Sequence, residues 1–169
     1  MRRLIARIQG KSEELPSRPW TDRLTGLPNR SALDEQIPQE LARAARYGYP
    51  LSLAMIDLDS FTRLNYERGD QAGDRLLKRA AAAWRSELRH SDIVVRYAGD
   101  EFLVVLPNCT PANARALVDR LVRALPPGQT CSAGVVHLRF GERVDELVVR
   151  AESALRRAKR RGRAQIVAA

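Results

Sequence analysis

The chain has 169 residues, 44% apolar and 29% charged, with a formal net charge of +9. That length and balance suit one globular domain with a sizeable core and exclude a disordered polypeptide. No run of about 18 apolar residues occurs, so no membrane span is encoded. An aromatic share of 5% argues against a stacking platform for single-stranded nucleic acid.

In chain order, residues 1–20 read as a basic helical lead or linker closed by the prolines of "LPSRPW". Its apolar part is short and interrupted by Arg7, so it lacks the apolar stretch of a secretory signal. Turn residues Gly26, Pro28 and Asn29 punctuate "TDRLTGLPNR". Ser31 is the expected cap of a helix with Asp34 and Glu35 in its first turn, running to about Tyr47. "PLSLAMIDL" reads as a strand, and Gly69 to His90 holds a helix rich in Ala and Leu. A β-hairpin is expected over 93–106, its two apolar arms separated by Ala98-Gly99-Asp100-Glu101. Thr110 and Pro111 open the helix "TPANARALVDRLVRAL". The strand "QTCSAGVVHL" follows, then a helix stopped near Gly162, and "AQIVA" as a final edge strand. The order predicts an α+β fold with a βαββαβ core, helices lying against a mostly antiparallel sheet.

The hairpin turn carries more acid than a turn needs. Asp100 and Glu101 are adjacent, and the strand over 51–58 ends in "MIDLDSF". Alternation puts Asp57 and Asp59 on one face if that strand persists. If it lies beside the hairpin, Asp57 approaches Asp100 and Glu101. Clustered carboxylates repel unless a cation sits among them, and Mg²⁺ takes oxygen ligands together with substrate phosphates. A solvated turn is the other reading of the doublet. Lys159 precedes Arg163 by four residues, which brings both near one face of a helix end. They suit a triphosphate, or are simply cations favoured at a helix C-terminus. The net charge itself fits an anionic partner, or merely arginine-rich usage. Cys109 and Cys131 lack metal-ligand spacing and read as buried reduced thiols of a cytoplasmic protein.

Taken in order, several motifs resemble those of the GGDEF domain, the diguanylate cyclase family. They are Asp22-Arg23-Leu24-Thr25 with Gly26-Leu27-Pro28-Asn29-Arg30, Ile56-Asp57-Leu58-Asp59 with Phe61 and Asn65, and Gly73-Asp74. Ala98-Gly99-Asp100-Glu101-Phe102, Ser132-Ala133-Gly134-Val135, and Ala154-Leu155 with Ala158-Lys159 and Gly162-Arg163 complete the set. The resemblance covers residues 21–169 and implies the palm-like core of nucleotidyl cyclases. It implies condensation of two GTP into cyclic di-GMP with release of pyrophosphate. By the same resemblance, Asp57, the Leu58 carbonyl, Asp100 and Glu101 hold Mg²⁺ or Mn²⁺, with Asp100 and Glu101 as the catalytic pair. Asn65 and Asp74 read guanine, whose N–H donors adenine lacks. Backbone amides at Ser60, Phe61, Thr62 and Gly99 meet phosphate, and Lys159 and Arg163 hold the triphosphate.

The sequence departs from the family pattern at Ala98 (usually Gly), Thr62 (usually Lys), Tyr66 (usually Asp), Asp70 (usually His) and Arg156 (usually Tyr). If position 98 needs a positive φ, alanine costs on the order of 1 kcal/mol. Loss of one charged hydrogen bond at position 62 costs about 1.5–3 kcal/mol. Upstream, Arg89 and Asp92 in "RHSD" match the family's inhibitory product site, with Arg120 as a further contact. The resemblance also implies a transient homodimer and an upstream sensor domain. Two other readings stand beside the cyclase: a degenerate module that binds GTP or cyclic di-GMP without turnover, and a basic nucleic-acid-binding protein. Nucleic acid is not the expected partner, and a steep salt dependence of binding would identify it.

Overall fold

The structure, a computed structural model, describes residues 20–169. Apart from Trp20, the lead over 1–20 lies outside the described residues. Thr21 bridges Pro28, and Asp22 N–H donates to the Leu27 carbonyl at 2.8 Å, closing "TDRLTGLP" into a tight loop turned at Gly26. The next backbone bond, Arg96 N–H to the Pro28 carbonyl at 3.0 Å, ties this loop to the sheet.

The first helix, α1, spans Arg30–Tyr47. Asn29 caps it rather than the expected Ser31: its side chain accepts from Ala32 N–H at 3.1 Å. Asn29 is held extended by its bridge to Arg96, so the helix starts earlier and Asp34 and Glu35 fall beyond its first turn. Gly48, at φ 69°, closes the helix in the left-handed conformation that glycine adopts freely. Strand β1 (Leu51–Leu58) is buried along its whole length. Next comes α2 (Phe61–Arg68), a helix the sequence did not announce, and then α3 (Asp70–Glu87), shorter than the expected Gly69-to-His90 span. Gly69, at φ 77° and ψ 159°, breaks the two apart. None of the α2 residues is fully buried, so it lacks the apolar stripe by which a helix is recognised. The chain continues through β2 (Ile93–Ala98), β3 (Glu101–Pro107), α4 (Pro111–Arg123), β4 (Cys131–His137), α5 (Val144–Arg160) and β5 (Ile166–Ala168).

The sheet order is β2-β3-β1-β4-β5, antiparallel throughout except where β5 runs parallel to β4 at the edge. This is the expected α+β arrangement. Alternation along β1 sends Ala54, Ile56 and Leu58 into a core shared with Leu77, Trp84, Val118 and Leu121 of α3 and α4. It sends Leu53 and Met55 to the other face, against Leu33, Ile37, Leu147 and Leu155 of α1 and α5. Trp84 stands edge-on to Phe102 with ring centroids 4.8 Å apart, and its indole N–H donates to the Leu121 carbonyl at 2.8 Å. Among the described residues, no helix is long and apolar enough to cross a membrane.

Helix α5 lies so close to β4 that a Cβ at Gly134 would collide with the Ala151 carbonyl, the Leu155 amide and the Ala154 side chain. Two of these are backbone atoms and cannot rotate away. Gly134→Ala should therefore destabilise the domain by at least about 2 kcal/mol, by forcing α5 off the sheet. An unchanged urea midpoint would show that α5 has room to move.

Candidate functional site

Antiparallel pairing of β1 with β3 sets Asp57 directly across from Glu101, and pairing with β4 sets it across from Ser132. Leu58 N–H donates to the Asp100 carbonyl at 3.2 Å, so the hairpin turn is fastened to the end of β1. The strand end and the hairpin acids thus meet, as the sequence suggested. Gly99 takes the left-handed position of the turn at φ 49°. Ala98 remains part of β2 and is not among the residues with positive φ, so the cost considered for alanine there does not arise.

Arg96 is a residue that sequence reasoning missed. Its Nε donates to the Gly99 carbonyl at 2.9 Å, and its Nη1 reaches both oxygens of Asp22 at 3.2 and 3.1 Å. Asp22 also accepts from the amide and hydroxyl of Thr25, at 2.8 and 2.6 Å. Burial works to raise the Asp22 carboxyl, but the hydrogen bonds from Thr25 and Arg96 prevail and hold it below its usual value. Asp22 stands in a quoted motif and Arg96 in the first arm of the expected hairpin, yet nothing in their spacing of 74 residues links them.

Asp57 is 5% exposed. Burial is the largest influence on its carboxyl and pushes it up. Lys159, whose Nζ donates to Oδ2 at 2.6 Å, pulls it down, and the charges of Asp100 and Glu101 push it up again. The balance leaves Asp57 pushed up to about 6. As they stand, no three His, Cys, Asp or Glu side chains among the described residues form a ready metal cage. The donors around Asp57 are nonetheless all hard oxygens, and their mutual repulsion is felt at Asp57. That chemistry fits a divalent cation such as Mg²⁺.

Asp59 follows β1 and is also buried, but it does not join Asp57. Its carboxylate accepts from Thr130 Oγ1, Ser132 Oγ and the Ala164 amide. Ser60, at φ 58°, starts α2, and the first intrahelical bond runs from Leu64 N–H to Ser60 C=O. The amides of Phe61, Thr62 and Arg63 precede that bond and make the electropositive end of a helix. Phe61 is half-buried against the core, while Thr62 is exposed. Asn65 packs directly on Gly73, where a Cβ would strike its side chain, and its buried Oδ1 has no hydrogen-bond partner. Asp74, next to Gly73, is exposed. Arg163 is exposed on the turn after α5, with φ 63°.

Arg89, Asp92 and Arg120 line one groove of about 220 Å³ with Glu87, Cys109 and Asn113. Asp92 accepts from the Arg89 backbone amide at 2.9 Å, and Arg120 is held by the side chain and carbonyl of Glu87 at 3.1 and 2.7 Å. A larger cleft of about 760 Å³ opens at the other end of β1, walled by Leu41, Tyr49, Pro50 and Leu138. None of the clustered acids faces it.

The family profile described as "Diguanylate cyclase, GGDEF domain" matches residues 19–165. The chain is 42% identical over 161 residues to diguanylate cyclase DgcP of Pseudomonas aeruginosa, covering 89% of this chain and 24% of that protein. It is 38% identical over 152 residues to cyclic di-GMP phosphodiesterase NbdA of the same organism, covering 84% of this chain and 19% of that one. The chain therefore spans a quarter or less of these two relatives. Among solved structures, the GGDEF domain of DgcB from Caulobacter crescentus in complex with c-di-GMP superposes with a TM-score of 0.84 at 27% identity. The match covers 89% of this chain and 95% of that one.

The electrostatics of Asp57 give a test in metal-free buffer. Its folded value of about 6 lies above its ordinary 3.8, so the folded state resists its charge. The penalty is absent below about pH 4, grows as pH rises, and is complete above about pH 6. Asp57→Asn should then stabilise the protein at pH 7.5 by on the order of 2 kcal/mol, with the gap closing towards pH 4. Equal urea midpoints at pH 7.5 would contradict this balance.

Proposed function

Since the chain belongs to the GGDEF family of diguanylate cyclases, we propose that it condenses two GTP into cyclic di-GMP. The observation that carries this reading is the meeting of Asp57 with the Asp100-Glu101 turn at the end of β1, with Lys159 reaching across. In each half-reaction the 3′-hydroxyl of one GTP attacks the α-phosphorus of the other; a new P–O bond forms, and the bond to pyrophosphate breaks. Asp57, the Leu58 carbonyl, Asp100 and Glu101 would hold Mg²⁺ or Mn²⁺. Once bound, the cation neutralises charge on the phosphates and the leaving group. Glu101 lies at the edge of the site and takes the hydroxyl proton, or supports the metal. The amides of Ser60, Phe61, Thr62 and Gly99 receive phosphate oxygens, as a helix N-terminus and a turn can. Lys159 and Arg163 bind the triphosphate by charge-assisted hydrogen bonds. Asn65 and Asp74 accept from guanine N–H groups; the unpartnered Asn65 Oδ1 supports this role.

Neither half-reaction can close the ring within one protomer, so two GTP-loaded domains must meet face to face in a symmetric homodimer. Arg89, Asp92 and Arg120 form the product site, their shared groove lying apart from the acids. Cyclic di-GMP held there would lock two domains in a pose in which the active sites cannot meet.

One observation favours a second reading, a module that binds nucleotide without turnover. Thr62 stands exposed at the start of α2 where the family usually places a lysine. NbdA, named a cyclic di-GMP phosphodiesterase, likewise shows that relatives of this domain occur in proteins named for other activities.

Incubation with GTP and Mg²⁺, with nucleotides resolved by chromatography, separates the two readings. The wild type should form cyclic di-GMP, and activity per molecule should rise with protein concentration. Asp100→Asn should lower turnover at least about a hundredfold while leaving the urea midpoint nearly unchanged. Near-wild-type turnover in that variant would remove Asp100 from the mechanism. Product inhibition should be non-competitive with GTP, and Arg89→Ala should abolish it while retaining turnover at low product. Purely competitive inhibition would reduce "RHSD" to a surface feature.

A further inference from the structure

Asp59 gathers three separate parts of the chain. Ser132 Oγ of β4 donates to its Oδ1 at 2.7 Å; Thr130 Oγ1, from the loop before β4, and the Ala164 amide donate to its Oδ2 at 2.8 and 3.0 Å. Its own amide donates to the Thr130 carbonyl at 2.9 Å. The third of these parts is the turn between α5 and β5, whose backbone is unusual. Gly162, Arg163 and Ala164 take φ values of 108°, 63° and 49° in succession. Residues with a Cβ adopt such angles singly, and only where their surroundings enforce them. The bonds from α5 itself are long: Gly162 N–H to Lys159 C=O and Arg163 N–H to Ala158 C=O, both 3.3 Å. Asp59 supplies the shorter contact from outside the helix, at the last left-handed residue.

We propose that Asp59 is a positioning residue: it holds the Gly162–Ala164 turn in its left-handed course and so keeps Arg163 aimed at the nucleotide's phosphates, without touching the nucleotide itself. The proposal rests on the reading that Arg163 binds the triphosphate. It makes hydrogen-bond acceptance, not negative charge, the property that matters at position 59. An asparagine can still accept from the Ala164 and Thr130 donors, while its amide donates to the Ser132 hydroxyl, which can turn to accept. An alanine accepts from none.

The test compares GTP with GMP, which lacks the outer phosphates, by calorimetric titration without metal at fixed ionic strength. The wild type should bind GTP more tightly than GMP. Asp59→Ala should lose at least about tenfold in GTP affinity with GMP affinity unchanged, whereas Asp59→Asn should stay near wild type. Adding Ala164→Gly to Asp59→Ala should recover part of the loss, because glycine takes the left-handed angle without help. Should Asp59→Ala fail to fold, Ala164→Val reaches the same turn at an exposed position, since a β-branched residue resists a positive φ. It should weaken GTP selectively. If the wild type shows no preference for GTP, the triphosphate reading fails and the proposal with it. If the wild type prefers GTP but Asp59→Asn loses as much as Asp59→Ala, or neither Asp59→Ala nor Ala164→Val weakens GTP, the proposal alone is overturned.

Discussion

Asp57 occupies the last pair between the central strand β1 and the hairpin strand β3, nearly buried, with two further carboxylates nearby. Its charge is opposed by burial and by Asp100 and Glu101, and supported by a single ammonium, that of Lys159. A strand end in this position cannot be neutral in its consequences. It either takes up a proton, keeps the lysine, or accepts a cation from solution. The proposed chemistry uses the third outcome, and the metal-free fold survives through the first two. Lys159 therefore has two proposed tasks at different times: counter-ion for Asp57 before metal enters, and phosphate ligand afterwards.

The sheet makes this arrangement rigid. β1 is flanked by β3 and β4, so its end is fixed in register with the hairpin turn on one side and with Ser132 on the other. Arg96 then clamps the hairpin turn to the Asp22 loop, and Asp59 clamps the turn after α5. Two buried or half-buried carboxylates, Asp22 and Asp59, thus serve as hydrogen-bond hubs around a third, Asp57. Hydrogen bonds that involve charged groups in such surroundings are stronger than neutral ones. The loops that carry the proposed ligands are accordingly fastened to the sheet at several points.

Much of this was legible in the chain because the signals are local. The acid doublet between two apolar arms marked the hairpin, and the buried run of β1 marked its partner. The edge strand β5 and the cap at Thr110 followed from patterns of a few residues. What escaped depends on contacts remote in sequence or on backbone angles that residue type does not announce. Asn29 displaced Ser31 as a cap because a bridge to Arg96 holds it extended. α2 has no buried stripe to reveal it. Alternation placed Asp59 beside Asp57, but its three donors come from segments more than 70 residues away. The left-handed angles at Arg163 and Ala164 belong to residue types that seldom adopt them, and Ala98 needed no such angle at all. Lys159 and Arg163 were visible as a spaced pair; the bond from Lys159 to Asp57 was not.

Both cysteines of the chain sit in surroundings that suppress their reactivity. Cys131 lies beneath the acids, and burial, reinforced by Asp59 and Asp57, pushes its thiol up to about 12. Cys109 lines the groove of Arg89 and Arg120, and burial, reinforced by Asp92, pushes its thiol up as well. Thiolate, not thiol, is the nucleophile, so neither competes well for an electrophilic dye at neutral pH. Phe140, by contrast, is a fully exposed aromatic on the loop before α5, remote from the acids. A cysteine introduced at that position would react selectively on the otherwise native sequence, giving a single attachment point for fluorescence measurements of domain encounter.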